Sequence, residues 1–172
     1  TVSYNASSTA LSCKTGYTGS PTYTCTTGTL SYSGTCIATG GSFIPNWYDS
    51  YSVPTGVSLS TNTSNSVGLW GPNNAPGGSW GYYLANLPSW VTKVSFNWSY
   101  FSYDYGSYDQ AYFWVNGNWV FLANNSQNST QYGTVTNYAI TNMSDRRFGP
   151  GVWTSDGCCG AGFLTLSNIV FQ

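Results

Sequence analysis

The chain has 172 residues, enough for one sizeable hydrophobic core and, by the usual size of domains, for one domain with at most a small appendage. Charged residues make up only 5% of it and the net charge is −1, so electrostatic attraction cannot drive binding to nucleic acid or to an anionic membrane surface. The 46 Ser and Thr and 16 Asn residues instead cover the surface with hydroxyls and amides. Such a surface gives little charge repulsion between copies, which suits either an assembling subunit or a glycan-coated secreted domain.

The cysteine content indicates an extracellular protein. Five Cys occur without a single His, and the paired CxxC or HxxxH spacings of zinc sites are missing, which favours an oxidising compartment. The chain begins at Thr1 without a signal sequence and contains no run of about 18 apolar residues. We therefore expect a processed, secreted chain at or beyond the cell surface, with no membrane insertion.

The first 39 residues differ in character from the rest of the chain. They hold three of the five Cys and no Trp, and they lead into the Gly-rich segment ATGGS. We place a domain boundary near Gly40, with residues 1–39 as a small disulfide-bearing N-terminal β appendage and residues 40–172 as the main domain.

Residues 11–36, LSCKTGYTGSPTYTCTTGTLSYSGTC, follow the order Cys, Gly-Tyr, Cys, Gly, Cys. This segment resembles the second half of a sushi (complement control) module, and the resemblance implies a disulfide between Cys13 and Cys36. Leu30 stands where that family has Trp, and the family partner of Cys25 has no counterpart.

A second pair of cysteines, Cys158 and Cys159, lies in the Gly-rich turn SDGCCGAG. Adjacent Cys residues close on each other only through a strained ring, so a longer-range bond is at least as well supported. Because five is an odd number, one Cys is left for a free thiol or an intermolecular bond, and Cys25 is our candidate.

Beyond the boundary, helical periodicity is almost absent and Gly, Pro, Asn and Ser interrupt the sequence about every ten residues. This pattern predicts an all-β fold, an antiparallel β-sandwich of the jelly-roll type. Nine segments have the composition of strands: VSLST (57–61), SVGLW (66–70), GYYLA (81–85), KVSFNWSYF (93–101), QAYFWVN (110–116), WVFLA (119–123), YGTVTNYAI (132–140), FGPGVWTS (148–155) and FLTLSNIVF (163–171).

The Asn-Gly pair between Val115 and Trp119 predicts a tight hairpin. A period of two then sorts the flanking side chains onto two faces. The predicted core set is Val94, Phe96, Trp98, Phe113 and Val115. Tyr112 and Trp114 face the other way.

A second resemblance covers residues 44–171. It is carried by VPTGVSLSTN, LWGPNN, VSFNWSYFSYDYGSYDQAYFWVNG, FLANNSQNSTQYGTVT and FGPGVWTSDGCCGAGFLTLSNIVF. These motifs are similar to a β-sandwich domain of secreted bacterial surface proteins that are sorted by a C-terminal tail. The resemblance implies the fold and an extracellular location more than an activity. No such tail follows the last strand here.

The acidic residues are five Asp, without Glu or His, which leaves few groups for acid–base or nucleophilic catalysis. We therefore expect no enzymatic activity. Asp104 and Asp109, with Asp156 from a turn of the resembled domain, are instead candidate ligands for a calcium cofactor. The alternative is that each Asp accepts hydrogen bonds from loop amides.

Aromatic residues offer a contact surface for glycans or proteins. Residues 94–121 contain twelve aromatic rings and only two charged residues. Flat rings can stack on sugars, and exposed Tyr is also common at protein interfaces. The candidates are Trp47, Tyr48, Tyr100, Tyr103, Tyr105, Tyr108 and Trp114.

Six Asn-x-Ser/Thr sequons occur, at Asn5, Asn62, Asn97, Asn124, Asn128 and Asn142, and glycosylation is expected above all at Asn124 and Asn128.

Our leading hypothesis from the sequence is a structural subunit of an extracellular filament or surface layer. Copies would assemble head to tail, with residues 1–12 or 1–39 docking on a sheet edge of the next copy. The alternative is a carbohydrate-binding adhesin module that uses the exposed aromatic side chains.

Overall fold

The computed structural model describes the backbone of five short strands before residue 43, and then residues 43–47, 58–73, 78–104, 108–124, 129–157 and 160–172. The chain divides into two compact units, Thr1–Ser42 and Phe43–Gln172. The sequence-based boundary near Gly40 lies outside the described residues. None of the described residues belongs to a helix long and apolar enough to cross a membrane.

The first unit is built from five short strands. They are β1 (Ser8–Ala10), β2 (Tyr17–Thr18), β3 (Thr22–Thr26), β4 (Thr29–Ser33) and β5 (Ile37–Ala38). β3 pairs antiparallel with both β1 and β4, and β2 pairs antiparallel with β5.

The second unit is an all-β sandwich of two antiparallel sheets. Its strands are β6 (Ser58–Asn62), β7 (Val67–Trp70), β8 (Ser79–Tyr82), β9 (Ala85–Asn86), β10 (Lys93–Phe101), β11 (Asp109–Val115), β12 (Asn118–Asn124), β13 (Gln131–Ala139), β14 (Arg147–Thr154) and β15 (Phe163–Phe171). Sheet I has the order β13-β10-β15-β7-β6. Sheet II has the order β12-β11-β14-β8, and the short β9 also pairs with β14.

From β7 onward the chain passes repeatedly between the two sheets. Leaving out β9, the eight strands from β7 divide into β7-β15-β10-β13 and β8-β14-β11-β12. This is the strand order of a jelly roll, a double-sheet architecture formed from two Greek keys. The predicted all-β, jelly-roll-like sandwich is confirmed.

The predicted segment GYYLA (81–85) is divided between β8 and β9. Two features of the facing strand β14 interrupt the pairing here. Pro150 has no N–H to donate to a ladder, and the backbone of Tyr83 passes so close to Gly149 that a Cβ there would collide with it. The prediction of one continuous strand was therefore wrong.

The core lies between the sheets and is rich in aromatic rings. Phe113 from sheet II packs edge-on against Phe96 from sheet I, with ring centroids 5.1 Å apart. Phe148 contacts Phe96 and Phe171 at 5.5 and 5.7 Å. Of the predicted inward positions, Val94, Phe96, Phe113 and Val115 are buried, and Trp98 is half-buried and packs against the core.

The Asn-Gly hairpin is present between β11 and β12. Asn116 and Gly117 both have positive φ, 55° and 78°, as a type I′ turn requires. The Asn116 side chain fixes this turn to the segment after β13, because its Oδ1 accepts hydrogen bonds from the backbone N–H groups of Thr141 (2.8 Å) and Asn142 (3.1 Å). The hairpin determines which side chains of β11 and β12 share a face.

Candidate functional site

Sheet II carries aromatic side chains across its outer face. On β11, buried and half-buried residues alternate, so Gln110, Tyr112 and Trp114 point outward. In the β-sheet register, Tyr112 lies opposite Phe121 and Trp114 lies opposite Trp119 on β12. On the other side of β11, Gln110 lies opposite Trp153 of β14, which in turn lies opposite Trp80 of β8. We call this set the aromatic face: Trp80, Tyr82, Tyr112, Trp114, Trp119, Phe121 and Trp153.

The rings of the aromatic face form one connected cluster. Trp80 and Trp119 stack with centroids 4.5 Å apart and planes only 7° from parallel. Trp80 also contacts Tyr112 at 5.0 Å and Trp153 at 5.3 Å, and Trp114 meets Trp119 edge-on at 5.0 Å. These contacts hold the rings in fixed positions even though they remain partly exposed to solvent.

A glycine makes room for this arrangement. On the outer side of β14, Gly151 lies opposite both Tyr112 and Tyr82. A Cβ at Gly151 would be 2.5 Å from Cη2 of Trp119, so the indole of Trp119 lies directly above the β14 backbone. A side chain at position 151 would displace that indole.

Polar groups border the aromatic face. The Tyr112 hydroxyl donates to Oε1 of Gln110, and burial raises the pKa of Tyr112. The Arg147 guanidinium lies 5.3 Å from the centroid of the Trp114 ring and donates to both carboxylate oxygens of Asp145 at 2.8 and 2.5 Å. Hydrogen bonds from Arg147 hold the pKa of Asp145 below its usual 3.8.

The outer face of sheet I has a different composition. Its β10 residues Ser95, Asn97 and Ser99 point away from the core, and Asn97 lies between Thr134 and Ser167 of the adjacent strands. The Thr134 hydroxyl donates to Asn97 Oδ1 at 3.0 Å. The middle of this face is therefore polar. Aromatic rings also occur on it, because Phe101, Phe163 and Trp70 lie side by side on β10, β15 and β7 and the exposed Tyr132 lies on β13.

The aromatic contact residues proposed from the sequence do not all lie on one surface. Trp114 belongs to the aromatic face. Tyr103 and Tyr108 are exposed, at 53% and 49%, but no ring contact joins them to that face among the described residues. Tyr48 and Tyr105 lie outside the described residues.

Two of the proposed surface aromatics are core residues. Trp47 is 5% exposed and packs against Phe148, with centroids 6.2 Å apart, and Tyr100 is 1% exposed. Their assignment to a contact surface was wrong. Tyr100 follows Phe96 and Trp98 on the inward side of β10, so the period-two pattern that identified the core also applied to it.

Sequence reasoning missed most of the aromatic face. The outward direction of Tyr112 was predicted and is confirmed, but Tyr112 was not proposed as a contact residue. Trp119 and Phe121 could have been assigned through the hairpin, since they lie opposite the outward residues of β11. No local signal marked Trp80, Tyr82 and Trp153, because the pairing that brings them here joins strands about 70 residues apart in sequence.

The candidate acidic residues lie around one end of the sandwich. Asp104 and Asp109 are buried, and Asp156 is partly exposed. Ser102 connects the first two: its hydroxyl donates to Asp109 Oδ2 at 2.6 Å and accepts the backbone N–H of Asp104 at 3.1 Å. Burial raises the pKa of Asp109, the hydroxyls of Ser102 and Thr154 oppose that rise, and the charges of Asp104 and Asp156 add to it. Within the described part of the chain, no three acidic, Cys or His side chains form a ready-made metal site.

The proposed glycosylation sites differ in exposure, and the cysteine side chains lie outside the described residues. Asn62 and Asn124 end their strands and are exposed, as glycan acceptors must be. The Asn142 side chain is engaged by the hairpin turn, because its Nδ2 donates to Asn116 O at 3.1 Å. Asn97 lies within β10. The remaining positions fall outside the described residues: Asn5, Asn128, Cys13, Cys36, Cys158, Cys159 and the side chain of Cys25.

No family model matches the chain, and no curated protein matches it. Among solved structures, the secreted serine protease VesC from Vibrio cholerae is similar at 12% identity and a TM-score of 0.38, over 93% of this chain and 34% of the VesC chain. A carbohydrate-binding module from a β-sandwich superfamily of promiscuous specificity is similar at 10% identity and a TM-score of 0.36, over 91% of this chain and 74% of the module. Similarity at this level assigns no function.

Proposed function

We propose that the unit Phe43–Gln172 is a carbohydrate-binding module and that the aromatic face of sheet II binds the sugar. The observation that carries this proposal is the contrast between the two outer faces of one sandwich. Sheet I presents mainly Ser, Thr and Asn along its middle, with Trp70, Phe101 and Phe163 near one end, whereas a connected cluster of seven aromatic rings extends across all four strands of sheet II. Contiguous apolar surface of this kind marks an interaction site in a soluble domain.

The chemistry around the rings fits a neutral, hydroxyl-rich ligand. The C–H faces of a sugar ring pack on aromatic rings, while its hydroxyls need hydrogen-bonding partners at the border. Gln110 on β11 and Asn124, which lies opposite it on β12, provide amides on the two strands that carry most of the rings. Arg147 is the only basic residue that contacts a ring of this face among the described residues, and Asp145 pairs with it. The face therefore offers no net charge to select an ionic ligand.

The amino-acid composition gives little support for a hydrolase activity. The chain has no His and no Glu, so a serine triad with a His base cannot form. The prediction that the protein is not an enzyme stays a prediction. The filament-subunit hypothesis, including assembly through residues 1–39, gains no support from the described residues.

The test is binding of the purified full chain to neutral polysaccharides. Cellulose, chitin and xylan are incubated with the protein, and the bound fraction is measured by depletion. We expect binding to at least one of them. Trp119→Ala should weaken it by about 30-fold, the equivalent of about 2 kcal/mol for a central aromatic contact.

The matched control is Tyr132→Ala. Tyr132 is 80% exposed but lies on β13 at the edge of sheet I, away from the aromatic face. Its loss should leave polysaccharide binding unchanged. If Trp119→Ala binds as well as the wild type, or if Tyr132→Ala is equally impaired, the aromatic face is not the binding site. Self-association of the wild type that Trp119→Ala abolishes, without any polysaccharide binding, would assign the face to protein contacts instead.

A further inference from the structure

The loops at one end of the sandwich bring oxygen ligands together around Asp109. This residue begins β11 and lies opposite Thr154, the last residue of β14. Ser102 and Asp104 follow the end of β10, and Asp156 follows the end of β14, where its carbonyl oxygen accepts from the Thr154 hydroxyl at 3.4 Å. Ser102 connects Asp109 to the backbone of Asp104, and Thr154, two residues before Asp156, lies opposite Asp109. Burial raises the pKa of Asp109, and the charges of Asp104 and Asp156 accordingly add to that rise.

The Asp109 carboxylate is only half satisfied. Its Oδ2 accepts from Ser102 at 2.6 Å. Its Oδ1 is buried and accepts no hydrogen bond of normal geometry, because the Thr154 hydroxyl beside this carboxylate donates to Asp156 O instead; the residue is 0% exposed. An ionised carboxylate oxygen in that position carries a large desolvation cost unless a proton or a cation neutralises it.

A neutral side chain gives an independent indication of a ligand. The Tyr100 hydroxyl is buried and has no hydrogen-bond partner. Tyr100 lies two residues before Ser102, both side chains are buried, and Ser102 donates to Asp109 Oδ2. Burial and the charges of Asp109 and Asp104 raise the pKa of Tyr100, and the hydroxyl of Ser102 opposes that rise. The hydroxyl packs closely against the backbone of Gly162, since a Cβ there would lie 2.5 Å from Tyr100 Oη. Two buried oxygen atoms without partners thus lie in one cluster.

The basic residues of this unit cannot supply the missing positive charge. Lys93 begins β10 and Arg147 begins β14, whereas the acidic residues follow the ends of these two strands. Eight or nine residues of strand place the two groups about 25 Å apart, well beyond the screening length of about 8 Å in physiological salt. Arg146 precedes β14 and lies at the same end as Lys93, since it donates to the carbonyl oxygen of Val91.

We propose that this end of the sandwich binds one calcium ion through Asp109 Oδ1, with the neighbouring carboxylates and the Tyr100 hydroxyl as further oxygen ligands. Calcium accepts six to eight oxygen atoms in flexible geometry, including hydroxyl and backbone carbonyl oxygens, so it does not need three carboxylates already arranged around it. The proposal is independent of the aromatic face.

The test uses the full chain after removal of divalent ions with a chelator, titrated with CaCl2 in a calorimeter in the absence of any glycan. We expect one site with a dissociation constant of about 10⁻⁴ to 10⁻³ M, as in extracellular modules, and a higher Tm in calcium. Asp109→Asn should weaken calcium binding at least about tenfold. The matched control is Asp145→Asn, which removes a carboxylate at the opposite end of β14 and should bind calcium like the wild type.

A second variant keeps the proposal testable if Asp109→Asn does not fold. Tyr100→Phe removes an unpartnered buried hydroxyl, so its stability in chelator should equal or exceed that of the wild type. Its calcium affinity should nevertheless be lower. A wild type that shows neither binding heat nor a Tm shift up to about 10 mM calcium, well above the affinities of extracellular sites, would overturn the proposal. So would equal calcium affinity in the wild type and Tyr100→Phe.

Discussion

Gly151→Ala should impair ligand binding while leaving every aromatic side chain in place. The new Cβ would lie 2.5 Å from Cη2 of Trp119, whereas carbon atoms in contact prefer about 3.5 to 4.0 Å. The indole must therefore move by at least about 1 Å. It cannot do so alone, because it stacks on Trp80 and meets Trp114 and Tyr82 edge-on.

The expected effect on stability is small. Disturbing the Trp80–Trp119 stack costs about 0.5 to 1.5 kcal/mol. Replacing Gly by Ala lowers the conformational entropy of the unfolded chain, which stabilises the fold by about 0.4 to 1 kcal/mol where the backbone angles suit Ala. Position 151 meets this condition, because the φ of Gly151 is not positive. The free energy of unfolding should therefore change by less than about 1 kcal/mol. The affinity for polysaccharide should fall about tenfold, which corresponds to a loss of about 1.4 kcal/mol in binding free energy.

Urea unfolding and polysaccharide depletion measure the two quantities on the same preparations. The matched control is Gly133→Ala on β13, where a Cβ would lie 2.8 Å from the indole of Trp98 in sheet I. It crowds a Trp in the same way but on the other sheet, so it should change stability and not binding. Unimpaired binding by Gly151→Ala, or an equal loss in Gly133→Ala, would refute the assignment of the site to Trp119 and its neighbours.

Two further predictions concern the stability of the sandwich. Phe113→Ala removes a buried ring that contacts Phe96 and Tyr138 and should lower the free energy of unfolding by about 3 to 5 kcal/mol; a loss below about 1 kcal/mol in urea unfolding would contradict the packing described. Arg147 holds the pKa of Asp145 below 3.8 in the folded state, so this pair stabilises the fold above that pH and the contribution is lost as the pH falls through the lowered pKa. The stability difference between the wild type and Asp145→Asn, measured by thermal unfolding, should shrink below pH 3.8, and a difference independent of pH would argue against the pair.

The sequence was sufficient for most strands of the second unit and for much of the core. Two of the longest strands, β10 and β15, begin and end where the sequence pattern places them. Phe96 and Phe113 were assigned to the core because alternation of apolar and polar residues is a local property of a strand. The hairpin could be predicted for the same reason, since the two positive φ angles it needs are supplied by adjacent residues, Asn116 and Gly117.

The candidate site depends on non-local pairing and was only partly predictable. Trp80 and Trp153 become neighbours through the pairing of β8 with β14, and Asp109 approaches Asp156 through the pairing of β11 with β14. Exposure was misjudged at Trp47, because its burial against Phe148 is a contact between distant segments. Composition showed that many rings must be partly exposed, but the sheet register determines which ones share a face.

Tryptophan fluorescence during titration with soluble fragments of the bound polysaccharide tests the central claim most directly. Four of the eight Trp residues, at positions 80, 114, 119 and 153, belong to the aromatic face, so a ligand stacked there must change the emission. We expect a saturable change in the wild type and in Tyr132→Ala that is strongly reduced in Trp119→Ala. Saturable binding with unchanged emission, or an identical change in Trp119→Ala, would contradict the assignment of sugar binding to this face.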